Sequence, residues 1–515
     1  MKSARNIYKD EVDFKALALQ SPEFAKHLKP NNQLDFSNPD SVRQLTKSLL
    51  ARDFNLKVDL PDDRLCPPVP NRLNYILWLQ DLIDTTGDDY RDDYDPDREV
   101  VGLDMYDFRL LACSTRSLTC VEEPGAVAFT RSLAALSVRD GNSSLRIDEK
   151  NLEWARRNVS QNGLESRINI VKTEQSGPLI PLTQLGLERV WKTGLPVRSA
   201  VLKPHAGWLV VGWVTTSESQ LLDGEGEFDI TPVVFQDIQC ISLTETGLDF
   251  TMCNPPFYES KDEMVASAQA KERPPFSACT GAEVEMVTPG GEIAFVSQMI
   301  EESLQLRDKV KWYTTMFGKL SSVSIIVENL IDLGCRNYAV TEFVQGTKTR
   351  RWAVAWSWRD LRPITSVARG ITGFPKHLLP FPPEFTFQAS KKRIDAVGQK
   401  IDAEMRSLPL LQWDWRPGLA ASGIGFAMEN VWSRQARRKR QKEQAQADPT
   451  AAAAAAQKME VEVDEKKAAL GFKIQLKQDR AVEEGPTVVV RWLKGTDSVL
   501  FESFCGMLKR KVEER

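Results

Sequence analysis

The stretch Asn254-Pro255-Pro256-Phe257 constrains this chain more than any other. It follows Leu248-Asp249-Phe250-Thr251-Met252-Cys253, a short apolar run that reads as a buried strand. Each proline fixes its own φ, and Pro255 also restrains Asn254 toward extended geometry, so the strand must end in a stiff loop. In open α/β sheets, ligands bind at the carboxyl ends of the strands. A rigid loop there offers the Asn254 side-chain oxygen and backbone carbonyls as acceptors beside the flat face of Phe257. That set suits a planar heterocycle with an exocyclic amine, such as adenine. Its amino nitrogen is a poor nucleophile because the lone pair is delocalised into the ring, and two acceptors on its hydrogens favour a pyramidal, reactive form. Catalysis on such a group rests on positioning and oriented dipoles, without a general base. Four residues alone are better read as a packed proline-bearing loop. Their surroundings shift the balance.

Val100-Val101-Gly102-Leu103-Asp104-Met105 reads as the first buried strand of a nucleotide-type fold, Asp148 to Val159 as a helix and Ile168 to Val171 as a strand. Downstream, Gly290 to Val296 reads as a turn and strand, Met299 to Val310 as a helix, Trp312 to Met316 as a strand and Val323 to Leu333 as a helix. Tyr338 to Phe343 and Arg351 to Trp358 pair across Gln345-Gly346. Such alternation argues for a mostly parallel α/β sheet covered on both faces. Upstream, Asp40-Ser41 caps a helix bearing Val42, Leu45 and Leu49, and Arg72-Leu73-Asn74-Tyr75 opens another through Ile76, Leu79 and Ile83. The acidic run from Asp88 to Glu99 reads as a surface linker. Two irregular stretches, 107–146 and 188–246, find no clear place in the sheet, and loops that long are unusual in a compact domain.

Beyond Pro363, Phe385-Thr386-Phe387 reads as a strand, and Ile394, Val397, Ile401, Met405 and Leu408 mark a helix face. A basic cluster from Arg434 to Arg440, poly-alanine and an acidic run make a low-complexity linker. Strands at Gly471 to Leu476 and Val488 to Trp492 follow, then a helix carrying Phe501, Phe504, Cys505, Leu508 and Val512. The expected division is a basic helical module at 1–60, an α/β domain at 61–360, and a small α+β module in two parts, 361–433 and 468–515, split by a disordered linker at 434–467. With a net charge of −4, any nucleic-acid contact must use local basic patches. The eight cysteines form no C-x-x-C pair and His27, His205 and His377 lie far apart, which argues against a disulfide framework, a zinc site and a histidine-based metal site. No apolar run is long enough to span a membrane, Met1 to Arg5 lacks a secretory segment, and a reducing compartment fits.

Several motifs in order carry a resemblance. They are Arg5-Asn6-Ile7-Tyr8-Lys9-Asp10, Pro70 to Tyr75, Met252 to Phe257, Arg273-Pro274-Pro275, Thr280 to Met286 with Gly290-Gly291-Glu292, Ser303 to Leu306, Trp312-Tyr313 and Thr341 to Gly346. Over most of the chain from Arg5 to Trp358 it closely resembles the methyltransferase-like 16 family, the U6 small nuclear RNA N6-adenosine methyltransferases. The resemblance implies a Rossmann-like class I methyltransferase that uses S-adenosylmethionine, with an N-terminal helical module and a C-terminal RNA-binding appendage. It implies Asn254, Pro255, Pro256 and Phe257 as the catalytic loop, and Arg72, Asp104, Asp148 and Asn254 at the cofactor. It also implies Arg5, Lys9 and Arg273 at the RNA, while the basic cluster with Arg437, Arg438, Lys439 and Arg440 reads, from its charge, as an RNA contact or a nuclear-localisation signal ahead of a solvated helix end. The implied partner is a structured RNA such as a U6-like hairpin, bound by a metal-free monomer in the nucleus, with room for a cytoplasmic pool.

The chain departs from the family at the cofactor. Where the family has a glycine-rich turn after Asp104, this chain runs Tyr106-Asp107-Phe108-Arg109, and the acidic ribose position aligns with Arg146, with Asp148 in another register. The two irregular stretches look like replaced or inserted sequence, as in an isoform or a mis-spliced gene model. That leaves a rival: an RNA-binding protein that has lost its cofactor loop. Methylation of a protein glutamine or of DNA is a third possibility, although those relatives more often carry Tyr at the fourth loop position. The missing turn predicts badly weakened cofactor affinity. Isothermal titration with S-adenosylmethionine is expected to show it, and ordinary micromolar-range binding would refute it.

Overall fold

Pro39 starts the first long helix of the protein. Proline has no N–H to lose at that position, and Asn38 before it accepts the Asp40 N–H, so the helix begins ahead of the expected Asp40-Ser41 cap. The computed structural model describes residues 5–10, 12–62, 66, 68–92, 94–95, 98, 100–105, 132–138, 149–172, 177–182, 247–269, 286–345, 349–389, 393–418, 421–446, 465–477 and 485–514. Its elements open with helices α1 (Phe14–Gln20), α2 (Pro22–Ala25), α3 (Pro39–Phe54) and α4 (Val69–Asp84). There follow β1 (Val100–Asp104), β2 (Ser132–Val138), α5 (Glu149–Gln161), β3 (Ile168–Lys172), β4 (Leu248–Met252), α6 (Lys261–Gln269) and α7 (Gly291–Leu306). Then come β5 (Val310–Phe317), α8 (Leu320–Asp332), β6 (Asn337–Gln345), β7 (Thr349–Ser357), α9 (Thr365–Ala368) and β8 (Arg369–Gly370).

These strands form one eight-stranded sheet in the order β3-β2-β1-β4-β5-β7-β6-β8. β1 lies parallel to β2 and β4, and β4 parallel to β5. β7 enters antiparallel between β5 and β6, closing the expected hairpin. The α/β class and mostly parallel sheet are those the apolar runs imply. α4 is buried along most of its length, with Tyr75 and Trp78 against Phe343 of β6. On α7, Phe295, Val296, Met299 and Ile300 are buried, and Ser303 accepts the Trp356 indole N–H of β7 at 2.9 Å.

The structure corrects three readings. The run Gly290 to Val296 is the start of α7 and not a strand: its buried residues continue at spacings of three and four through Ser303, a period that four apolar residues could not display. The stretch 107–146 is not wholly foreign to the sheet, because β2 lies within it, parallel and in register with both β1 and β3. The acidic run after α4 is more than a linker, since Asp92 pairs with Lys473 at 2.9 Å and with Arg491.

Those two cations belong to a second sheet. Its elements are β9 (Glu384–Gln388), α10 (Ile394–Ser407), β10 (Gln412–Arg416), β11 (Ser422–Ala427), α11 (Arg434–Gln446), β12 (Leu470–Lys477), β13 (Thr487–Lys494) and α12 (Ser498–Glu513). The strand order is β10-β11-β12-β13-β9, antiparallel throughout, so segments from both sides of the low-complexity stretch share one sheet. α10 and α12 cover it with Val397, Ile401, Phe501, Phe504 and Leu508 against Phe472, Ile474, Val490 and Trp492. β10 and β11 were not among the expected strands, although Trp413 and Trp415 alternate with polar and charged residues as an edge strand requires, and Gly423 leaves room for both indoles.

The two sheets meet along a cationic seam. Arg362 is buried, donates to the Gly495 carbonyl at 2.9 Å and lies 4.2 Å from the Trp492 ring. Burial pushes both Arg362 and Arg491 down to about 10. Backbone bonds continue the seam, with Arg362 N–H to the Leu493 carbonyl and Gly495 N–H to the Asp360 carbonyl.

Within the first sheet, β1 can lie against Phe250 only because residue 102 is glycine: a Cβ there would fall 2.0 Å from that ring. Gly102→Ala is therefore expected to lower stability by about 1–3 kcal/mol through overpacking, seen as a lower urea midpoint. An unchanged midpoint would show that β4 can yield at this point.

Candidate functional site

From β1 the sheet runs to β2 and β3 on one side and to β4 and β5 on the other. This is the topological switch at which open α/β sheets bind ligands beyond the carboxyl ends of their strands. Asp104 ends β1 there and is buried. The Asn254 loop leaves β4 beside it. Pro255 and Pro256 are buried, whereas Asn254 and Phe257 are half-buried. The loop's polar and flat groups are thus the ones left open.

Main-chain bonds fix the loop at both ends. Met316 N–H of β5 donates to the Cys253 carbonyl at 2.9 Å, and Met105 N–H after β1 donates to the Met252 carbonyl at 2.9 Å. On the far side, Tyr258 donates to the Met286 carbonyl at 3.0 Å and accepts from Thr288 N–H at 2.9 Å. Tyr75 of α4 braces the loop from beneath. Its hydroxyl accepts the Cys253 N–H at 3.3 Å and lies 2.7 Å from the Thr314 hydroxyl. Thr314 gives its one proton to the Thr251 carbonyl, so Tyr75 must donate to Thr314. Burial raises the Tyr75 phenol well above its ordinary range and keeps that proton in place.

The rest of the Pro70 to Tyr75 motif is explained by the same helix. Arg72 is buried and its Nη1 lies 3.4 Å from the Met316 sulfur, beside the strand that holds Cys253. Asn74 accepts from the Asn6 side chain at 2.7 Å. Arg5 pairs with Asp81 and donates to the Leu77 carbonyl, which commits its guanidinium to α4.

Phe257 has two close neighbours. A Cβ on Gly318 would stand 3.2 Å from its ring, and the Arg351 guanidinium lies 5.5 Å from the ring centroid. Burial pushes the Arg351 guanidinium down from its ordinary value. Glu292 of α7 shapes this wall by accepting the Gly318 N–H at 2.7 Å and the Lys319 N–H at 3.2 Å. Tyr75, Glu292, Gly318 and Arg351 were not among the expected site residues. Tyr75 and Glu292 stood inside quoted motifs, but nothing in spacing marks Gly318 or Arg351.

Asn254, Pro255, Pro256, Phe257, Arg72 and Asp104 are therefore gathered at one sheet edge, on β1, β4 and α4 and beside β5. Asp148 and Arg273 lie outside the described residues, as does the chain after Met105 where a glycine turn would stand. Lys9 is exposed. Arg437, Arg438 and Lys439 are exposed on α11, in the C-terminal module; Arg440 continues that helix, its side chain outside the described residues. A buried carboxylate at the end of β1 suits a cationic group, and the open amide and ring suit a heteroaromatic amine. The donor set thus fits S-adenosylmethionine beside a base.

An RNA methyltransferase family model matches residues 2–104 and 233–360. The match resumes at 233, inside the stretch expected to be foreign as far as 246. The chain is 27% identical over 498 residues to the U6 small nuclear RNA (adenine-(43)-N(6))-methyltransferase of Schizosaccharomyces pombe, covering 94% of this chain and 96% of that protein. It is 31% identical over 364 residues to the Homo sapiens RNA N(6)-adenosine-methyltransferase METTL16, covering 69% of this chain and 50% of that protein. The chain thus spans about half the length of the human relative. The crystal structure of the human METTL16 catalytic domain in complex with MAT2A 3'UTR hairpin 6 is 29% identical, covers 70% of this chain and 98% of that chain, and has a TM-score of 0.47.

Glu292 supplies a test of the wall. Its carboxyl is pushed above its ordinary 4.5 by burial, so ionising it costs the fold. Its contribution is present below 4.5 and is lost as pH rises through the raised value. Glu292→Gln should flatten that part of the stability curve in urea titrations run from about pH 4 to about pH 8. Glu292→Ala, which strands two N–H groups, should cost about 1–3 kcal/mol.

Proposed function

The chain belongs to the methyltransferase-like 16 family of RNA methyltransferases, and from that premise we infer that it is an S-adenosylmethionine-dependent RNA adenosine N6-methyltransferase. The observation that carries this reading is the Asn254 loop, pinned at both ends with its amide and ring open at the switch point. S-adenosylmethionine supplies an electrophilic methyl on a sulfonium. Asn254 and a loop carbonyl hold the two amino hydrogens of the target adenine, and Phe257 stacks on its ring. With the amine so held, its lone pair would be aimed at the methyl that bound S-adenosylmethionine would supply, and the displaced amino proton would leave to water. Arg72 and Asp104 orient the donor. Most of the rate enhancement comes from holding nitrogen and methyl in line.

The substrate we propose is a U6-like hairpin or a similar structured RNA. The support is the S. pombe relative, matched over 96% of its length and named for U6 small nuclear RNA. Loops and bulges in such RNA expose bases that can be splayed into a pocket. Lys9, Arg273 and the cluster Arg437 to Arg440 are the proposed phosphate contacts, with Arg5 bracing the N-terminal segment that presents Lys9. The same cluster suits nuclear import, so a nuclear location is part of the proposal. Asp148 is proposed at the cofactor ribose, and a monomer is sufficient for this chemistry.

Purified protein should methylate a U6-like hairpin, and Asn254→Ala should lower kcat about 100-fold or more while hairpin binding persists. Binding should weaken steeply with added salt, as phosphate contacts require. Salt-sensitive binding with no methylation by the parent would favour an RNA-binding protein without catalysis.

A further inference from the structure

The run from Thr85 to Arg98 joins α4, which carries Arg72, to β1, which carries Asp104, and the C-terminal module grips it at three points. Arg491 of β13 donates to the Thr85 carbonyl at 2.6 Å and pairs with Asp92. Lys473 of β12 pairs with the same carboxylate at 2.9 Å. Tyr90 places its ring 4.9 Å from Phe426 of β11 while its backbone sits at φ 54°. A left-handed tyrosine is costly and persists only where its surroundings demand it. The same run is tied back to the first sheet by the Thr86 hydroxyl, which accepts the Trp312 indole N–H at 2.8 Å, and to α4 by Arg98, which donates to the Ile83 carbonyl at 3.2 Å.

A connection that only spanned water would need none of this. Three neighbouring strands of one sheet hold successive points on the segment that joins α4 to β1. Asp92 is seated between two cations that come from different strands of the module.

We propose that this connection couples the C-terminal module to the methyl-transfer site, with Asp92 as a positioning residue for Arg72 and Asp104. The coupling rests on the function proposed above. Releasing Asp92 frees the end of α4 and the start of β1 to shift, and small displacements of positioning groups are expensive in rate. Linkage requires the reverse effect as well: cofactor binding must tighten the module's hold on the strap.

The test uses the full chain with Asp92→Asn, the exchange pair Asp92→Lys with Lys473→Asp, and Tyr90→Ala as a milder lesion should the first not fold. Measured quantities are kcat and the KM for S-adenosylmethionine, hairpin affinity, and hydrogen exchange across 100–105 and β12–β13. Asp92→Asn is expected to raise the cofactor KM about tenfold with hairpin affinity unchanged, and to quicken exchange in both regions. The exchange pair should recover part of the loss, and cofactor should slow β12–β13 exchange in the parent. Faster exchange in β12–β13 alone, with KM and residues 100–105 unmoved, would reduce Asp92 to a structural tether and overturn the coupling. If the parent neither takes up cofactor nor methylates RNA, the functional reading fails, and the response of residues 100–105 to Asp92→Asn decides the coupling by itself.

Discussion

The Cys253 carbonyl, held by the Met316 N–H, is the bond on which the site depends. A loop of Asn and two prolines is stiff within itself but has no N–H on either proline to tie it to a sheet. Its orientation must come from the residues on either side, and here neighbouring strands and Tyr75 supply it. The hydroxyl of Tyr75 serves Cys253 on one hand and Thr314 on the other, so α4, β4 and β5 are referred to one atom. A mobile amide would forfeit the two-acceptor grip proposed for an exocyclic amine.

The seam between the sheets shows a different economy. Among the described residues Arg491 and Lys473 meet Asp92 and Lys494 meets Asp360, so cations outnumber carboxylates there, and backbone carbonyls take up Arg362 and part of Arg491. Buried ion pairs of this kind seldom add much net stability, because desolvation offsets attraction. What they add is a defined seat. A module bound only through apolar side chains could slide, whereas guanidinium groups aimed at single carbonyls accept one placement.

The Asn254 loop, the parallel strands around it and the helix of Pro70 to Tyr75 were legible in sequence, because prolines and short apolar runs restrict local geometry strongly. The start of α7 was not: Ile293 to Val296 is too short to show a period, and Phe295 and Val296 reveal theirs only with Met299 and Ile300. β2 escaped because its parallel partners lie far away in sequence. Arg351 and Gly318 reach the site from elements remote along the chain, one beside the Phe257 ring and one leaving space for it.

By itself the sequence determined a strand ending in a rigid Asn-Pro-Pro-Phe loop, an α/β alternation and a chemistry suited to an aromatic amine, since these follow from restricted φ angles and side-chain type. Only tertiary structure decided which side chains wall that loop and that the acidic run after α4 is held by the C-terminal sheet. Those facts depend on which distant backbones come within hydrogen-bonding reach, and no local preference encodes that.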